Sequence, residues 1–154
     1  RPVLVEIQAL IVRLQSGATP RRAVVGWDNG RLAMLLAVLH RHGGMHVADQ
    51  DVFVNVVAGV KVNETSADLA LLSAVVSSFR NRALPQDLVI FGEVGLSGEI
   101  RPVPSGQERI YEAAKHGFTR ALVPKANVPR KPVDGMKVIP VTKLSDALSA
   151  LEEL

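Results

Sequence analysis

Residues 62–71 read VNETSADLAL, and they stand where a β-branched run gives way to an apolar helical stripe. Upstream, DVFVNVVAGVKV (51–62) has the composition of a strand. Downstream, Leu69, Leu72, Val76 and Phe79 recur at helical spacing, which predicts a helix running to about Arg82. Thr65 with Asp68 three residues on is a helix-start signature. A strand feeding a buried helix points to an α/β protein and leaves Ser66 at a helix mouth. Serine in that place is a nucleophile in several hydrolases and an ordinary cap in many helices. Nucleophile, disused nucleophile and cap are all open on these residues alone.

Outward toward the N-terminus, PVLVEIQALIV (2–12) alternates, with Val3, Val5, Ile7 and Ala9 on one face, and predicts a strand. SGATP (16–20) turns the chain into a second strand, RRAVVGW (21–27). Asp28 or Asn29 caps a helix in which Leu32, Leu35, Leu36 and Leu39 share a face, and Gly43-Gly44 ends it. Toward the C-terminus, DLVIFGEV (87–94) and GEIRPV (98–103) flank GLSG and predict a hairpin. Ser105 and Glu108 form a second helix-start box, for a helix that closes at Gly117 with Lys115 and His116 in its last turn. RALVP (120–124) and KVIPV (137–141) read as short strands around a loop rich in Pro and basic residues, PKANVPRKPVDG (124–135). Leu144, Leu148 and Leu151 mark a terminal helix. The mixed order, without repeats, predicts one α/β (α+β) domain of mixed sheets packed with helices.

The composition is globular, at 47% hydrophobic and 21% charged, with no apolar run of membrane-spanning length and no signal-peptide pattern. Absence of Cys excludes disulfides and thiolate metal sites. A net charge of +3 permits a nucleic-acid partner without identifying one. Position 1 is Arg rather than Met and opens into a strand-like run, so the chain is expected to be part of something longer.

Candidate chemistry is sparse. Gly92, Gly95 and Gly98 lead into another strand, whereas a phosphate cradle leads into a helix. His40, His42, His46, Asp49 and Asp51 gather nitrogen and oxygen donors, but at no standard metal spacing, and no metal is expected. The basic residues are scattered over Arg21-Arg22, Arg80, Arg82, Lys115, Arg120, Lys125 and Arg130-Lys131. Aromatics are only 4%, so any nucleic-acid contact is expected mostly at phosphates. Ser66 needs a neighbouring base to attack a carbonyl, and Lys serves when burial lowers its pKa.

NETSADLAL (63–71), GEVGLSGEIRPVPSGQERIYEAAKHGF (92–118) and ALVPKANVP (121–129) resemble the C-terminal domain of the RadA (Sms) family of bacterial DNA-repair proteins. The likeness runs from RPVLVEIQAL to KLSDALSALEEL, essentially the whole chain. That domain is similar in turn to the proteolytic domain of Lon proteases, which use a Ser-Lys dyad. The serine of the dyad lies in a P-S-A-G turn, and its lysine lies early in a later helix. Ser66, in T-S-A-D, matches the serine; laying Pro102–Phe118 on the lysine helix without a gap puts Arg109 at the lysine position. Arg stays protonated, with a pKa above about 12, and cannot be the general base. Asp68 replaces the glycine after Ser-Ala, where a carboxylate would oppose an oxyanion.

The resemblance therefore implies a Lon-protease-type fold over residues 1–154 with no catalytic residues, Ser66 and Arg109 being vestigial dyad positions. It implies a scaffold that supports a hexameric ring and holds single-stranded or branched DNA through phosphates. The DNA-binding candidates are Lys61, Arg101 and Arg109, with Arg41 and Lys115 behind them. The family's zinc motif and RecA-like ATPase core are absent from this sequence, so ATP, Mg and Zn are expected only for domains beyond it. The whole protein is expected to be a DNA-dependent ATPase of recombination and branch migration in the bacterial cytoplasm, acting with a recombinase filament. The alternative is a Ser-Lys-type peptidase with Ser66 as nucleophile and an unorthodox base such as Lys61.

Overall fold

Alternating side chains build the first sheet. The computed structural model describes residues 2–15, 17–59 and 61–154. Arg1, Ser16 at the head of the predicted turn and Val60 within the predicted strand 51–62 lie outside the described residues. Strands β1 (Ile7–Arg13), β2 (Arg22–Val25) and β3 (Gln50–Val56) pair in the order β1-β3-β2. β1 is antiparallel and β2 parallel to β3. The register Ile7↔Val56, Ala9↔Val54 and Ile11↔Val52 turns these six side chains to one face. Helices α1 (Asn29–Gly43) and α2 (Asp68–Arg80) join the same core. Leu32, Leu35, Leu39, Leu69 and Leu72 are fully buried there, so truncating any one to Ala costs about 2–5 kcal/mol.

The second sheet is all parallel: β4 (Leu88–Ile90), β7 (Arg120–Pro124) and β8 (Lys137–Val141), in the order β4-β7-β8. A small hairpin of β5 (Glu93–Val94) and β6 (Ile100–Arg101), then helix α3 (Gly106–Lys115), bridge β4 to β7. Phe91, Val103, Ile110, Ala121, Val123 and Val133 form a second cluster between α3 and this sheet. Helix α4 (Leu144–Glu152) leaves β8 and returns to pack on α1 and α2. The architecture is thus mixed α/β, with small sheets and four helices among the described residues. None of these helices is long and apolar enough to cross a membrane.

Several expectations change. The first strand begins at Ile7 rather than Pro2: its ladder with β3 ends at Ile7↔Val56, followed by one bond from the Val57 N–H to Glu6 O at 2.9 Å. There β3 ends in a 3-10 turn, Val57–Gly59, with Ala58 left-handed at φ 69°. Asp28 does cap α1, accepting from the Arg31 N–H at 2.8 Å. The two predicted capping boxes do not form. Neither Thr65 nor Ser105 caps through its side chain, and Ser105 is left-handed at φ 60°. α2 ends at Arg80, with Asn81 left-handed behind it. DLVIFGEV is not one strand: it breaks at Gly92, φ 150°, into β4 of one sheet and β5 of another. A Cβ at Gly92 would lie 3.1 Å from Ile100 Cγ2 and 3.3 Å from Pro124 Cγ, so glycine is required by both dihedral and space.

Candidate functional site

Ser66 sits in a 3-10 turn, Thr65–Ala67, that runs directly into α2. Two backbone bonds fix the turn against the end of β4. The Gly92 N–H donates to Ser66 O at 2.8 Å, and the Leu69 N–H donates to Gly92 O at 3.0 Å. Ser66 is 4% exposed, and its Oγ has no hydrogen-bond partner among the described residues. Such an orphaned buried hydroxyl is uncommon and calls for a cause.

The serine lines a cavity of about 120 Å³, walled by Ala67, Ala70, Ile90 and Phe91, by the segment 2–5, and by Arg109 and Glu112. Arg109 comes from the first half of α3. Its Nε donates to Pro104 O at 2.9 Å, and the guanidinium carbon lies 5.9 Å from the centre of the Phe91 ring. It forms an ion pair with Glu64 at 3.6 Å. Sequence spacing offers no sign of Glu64, because the pairing spans 45 residues (109 minus 64). The side chain stays 22% exposed, enough to meet a ligand.

The two dyad positions therefore share one pocket. Among the described residues, neither Lys nor His lines it. Lys61 lines the adjoining, wider groove of about 600 Å³, together with Asn63, Glu64, Ser105 and Arg109. It is exposed and has no ion pair with the described residues.

Asp68 does not face the cavity as an opposing charge. It is fully buried and takes a bidentate fork from Arg31: Nε to Oδ1 at 2.7 Å, and Nη2 to Oδ2. The Val94 N–H donates to the same Oδ2 at 3.1 Å. Burial pushes the Asp68 carboxyl above the usual carboxylate range, opposed by these bonds, while the Asp68 hydrogen bond holds Arg31 above its ordinary value. This three-way junction ties α1, α2 and β5, and no local pattern in the sequence announces it.

The remaining candidates lie apart from the pocket. Arg101, on β6, is held by Glu99 at 2.9 Å and Glu93 at 3.7 Å, and lines neither groove. Arg41 is exposed in the last turn of α1. Lys115, at the end of α3, borders a separate depression with Glu108 and Tyr111. In the histidine segment, the His40 and His46 rings meet edge to face at 4.5 Å, His42 bonds to Leu96 O, and Asp51 is spent on Arg21. Among the described residues, no group of three or more His, Asp or Glu is placed to hold a metal.

The pocket thus pairs a serine hydroxyl with a permanent guanidinium, and the other ionisable groups lining it, among the described residues, are the carboxylates Glu64 and Glu112. The family model described as subunit ChlI of Mg-chelatase matches residues 29–127, a span that contains both Ser66 and Arg109. The chain is 71% identical over 154 residues to the DNA repair proteins RadA of Escherichia coli (strain K12) and Salmonella typhimurium (strain LT2). It is 70% identical over the same length to that of Haemophilus influenzae. In each case all of this chain is aligned, and it spans 33% of the relative's length.

Proposed function

This chain belongs to the family described as subunit ChlI of Mg-chelatase, and from that premise we propose a non-catalytic, nucleic-acid-holding domain of a DNA-repair protein. The observation that carries the reading is that Arg109, at the position where Lon-type peptidases need a lysine, lines one cavity with Ser66, whose Oγ has no partner among the described residues. Arginine keeps its proton and offers a fork suited to phosphate oxygens. In this reading the domain has a Lon-protease-type fold, its peptidase site is a relic, and the groove of Lys61 and Arg109 meets DNA phosphates. Names of relatives similar along the whole chain support the DNA-repair role. The domain works within a longer protein that assembles as a hexameric ring in the bacterial cytoplasm. That protein is a DNA-dependent ATPase of branch migration and engages a recombinase filament; its ATP, Mg and Zn sites lie in domains beyond this chain.

The test is fluorescence anisotropy of a labelled single strand with the full-length protein, at two or more salt concentrations. Lys61→Ala and Arg109→Ala weaken binding and make the salt slope shallower by about 0.7 for each phosphate no longer neutralised, while Arg109→Lys keeps most of the affinity. Arg101→Ala, outside the groove, has the smaller effect. Unchanged affinity and slope in the Lys61→Ala/Arg109→Ala double variant, with the ring intact, would sink the groove as the DNA surface. Labelling of Ser66 by a serine-directed phosphonate, abolished in Ser66→Ala, would instead restore the peptidase reading.

A further inference from the structure

Helix α3 has two working flanks. Arg109 points into the serine pocket, whereas Gln107 and Tyr111, one helical turn apart, border a separate cleft of about 410 Å³. The other wall of that cleft is the loop carrying Val128, Arg130 and Lys131. Its volume falls within the range of small-ligand pockets, roughly 300–1,000 Å³.

The cleft combines three features. Tyr111 is 42% exposed, and no other Phe, Tyr or Trp among the described residues is as open to solvent. Val128, on the loop wall of the same cleft, is 40% exposed, so the cleft presents two apolar surfaces. The charged side chains lining the cleft, among the described residues, are Arg130 and Lys131, both exposed and without an ion pair to those residues. Glu108 and Lys115 lie on the far side of Tyr111, in the neighbouring depression.

The loop wall is held in place before any ligand arrives. Asn127 spends its whole amide on Val103, with Nδ2 donating to Val103 O at 3.0 Å and Oδ1 accepting from the Val103 N–H at 2.8 Å. The fit against α3 is tight enough that a Cβ on Gly106 would lie 2.5 Å from Asn127 Nδ2. A half-exposed ring and an apolar side chain lining one cleft, edged by two cations, match a flat aromatic ligand that carries negative charge.

Resting on the nucleic-acid reading above, we propose that this cleft is a subsite for one unpaired base of a single strand. The base stacks on Tyr111 opposite Val128, and its adjacent phosphate lies on Arg130 and Lys131. An unpaired base enters at little cost, whereas one in a duplex must first be unstacked and unpaired. The subsite therefore makes the domain prefer single strands, a preference that phosphate contacts alone do not provide.

The experiment uses the full-length protein and an oligothymidylate carrying one 2-aminopurine, with a duplex of equal length as competitor. The expected results are quenching of the 2-aminopurine on binding and a tighter complex with the single strand than with the duplex. Tyr111→Ala weakens single-strand binding by about tenfold and abolishes the quenching, whereas Tyr111→Phe keeps both. Replacing Arg130 and Lys131 with Ala makes the salt slope shallower by about 0.7 for each phosphate left without its cation. If Tyr111→Ala binds and quenches like the wild type while Arg109→Ala weakens binding, the subsite is overturned and the groove reading stands. A wild-type protein that binds neither probe overturns both. Equal affinity for duplex and single strand, equally lowered by Tyr111→Ala, also overturns the base subsite.

Discussion

At the scale of single residues, the turn into α2 carries one side chain that does little for the fold and, two positions on, one that does much. Ser66 Oγ is buried without a partner among the described residues, so the hydroxyl carries a desolvation cost with no bond to offset it. Ser66→Ala is expected to leave stability unchanged or raise it by up to about 1 kcal/mol, read from urea unfolding. A drop of more than that would mean the hydroxyl has a partner in solution. Asp68 is the opposite case. Removing it strands the Arg31 guanidinium and the Val94 N–H. Breaking a buried pair costs about 3–5 kcal/mol, and since Arg31 is 24% exposed the lower end applies. Asp68→Ala should therefore destabilise by about 3 kcal/mol in the same titration. Ser66 and Arg109 stand out in the sequence through the family resemblance, which lays T-S-A-D and Pro102–Phe118 on the peptidase pattern. Asp68's role is hidden there, since the Arg31 fork closes over 37 residues and obeys no local rule.

At the scale of elements, β-branched runs and leucine stripes located nearly every strand and helix, because burial on one face imposes a period that the sequence must obey. The misreadings fall where tertiary partners override local chemistry. Val3 and Val5 alternate like a strand, but among the described residues no strand pairs with them. Thr65 and Ser105 look like caps, yet the helix entries are fixed from elsewhere, by Gly92 in one case and by an αL turn in the other. Gly92 is where one apolar run changes sheets. Gly92→Ala must strain a positive φ and push on Ile100 and Pro124, so a destabilisation of about 1–3 kcal/mol is expected, with a lowered Tm in calorimetry. The second sheet carries its own pH dependence. Asp87, before β4, receives hydrogen bonds from Arg120 and Thr119 on and beside β7, and these hold its carboxyl well below the usual range. Its folded pKa is depressed, so its stabilisation is complete above the unfolded value near about 4, shrinks progressively below it and is lost only as pH falls through the folded value. Asp87→Asn should lower Tm more at about pH 7 than at about pH 2, which flattens the acid limb; equal drops at both would rule out the linkage.

At the scale of the whole molecule, charge and assembly act together. Several arginines are already committed: Arg21 to Asp51, Arg31 to Asp68, Arg80 to Glu152 and Arg120 to Asp87. One copy offers a polyanion a net charge of only +3, but six copies in the proposed ring would carry about +18. The proposed ring predicts that full-length protein sediments faster as concentration rises and that DNA affinity falls with it on dilution. A strictly monomeric protein at every concentration, with nucleotide and DNA present, would contradict this. The path of α4 has a further consequence, for how the chain is made. The flank of α1 near Leu39 and Gly43 is closed by Leu144 and Leu148, roughly a hundred residues later, and Arg80 is tied to Glu152 and to Leu148 O. At roughly 5–20 residues per second, the ribosome needs about 5–20 s to supply that cover. For that interval the nascent first layer presents an open apolar flank, so chaperone occupancy during translation should peak after α1 emerges and fall when α4 does.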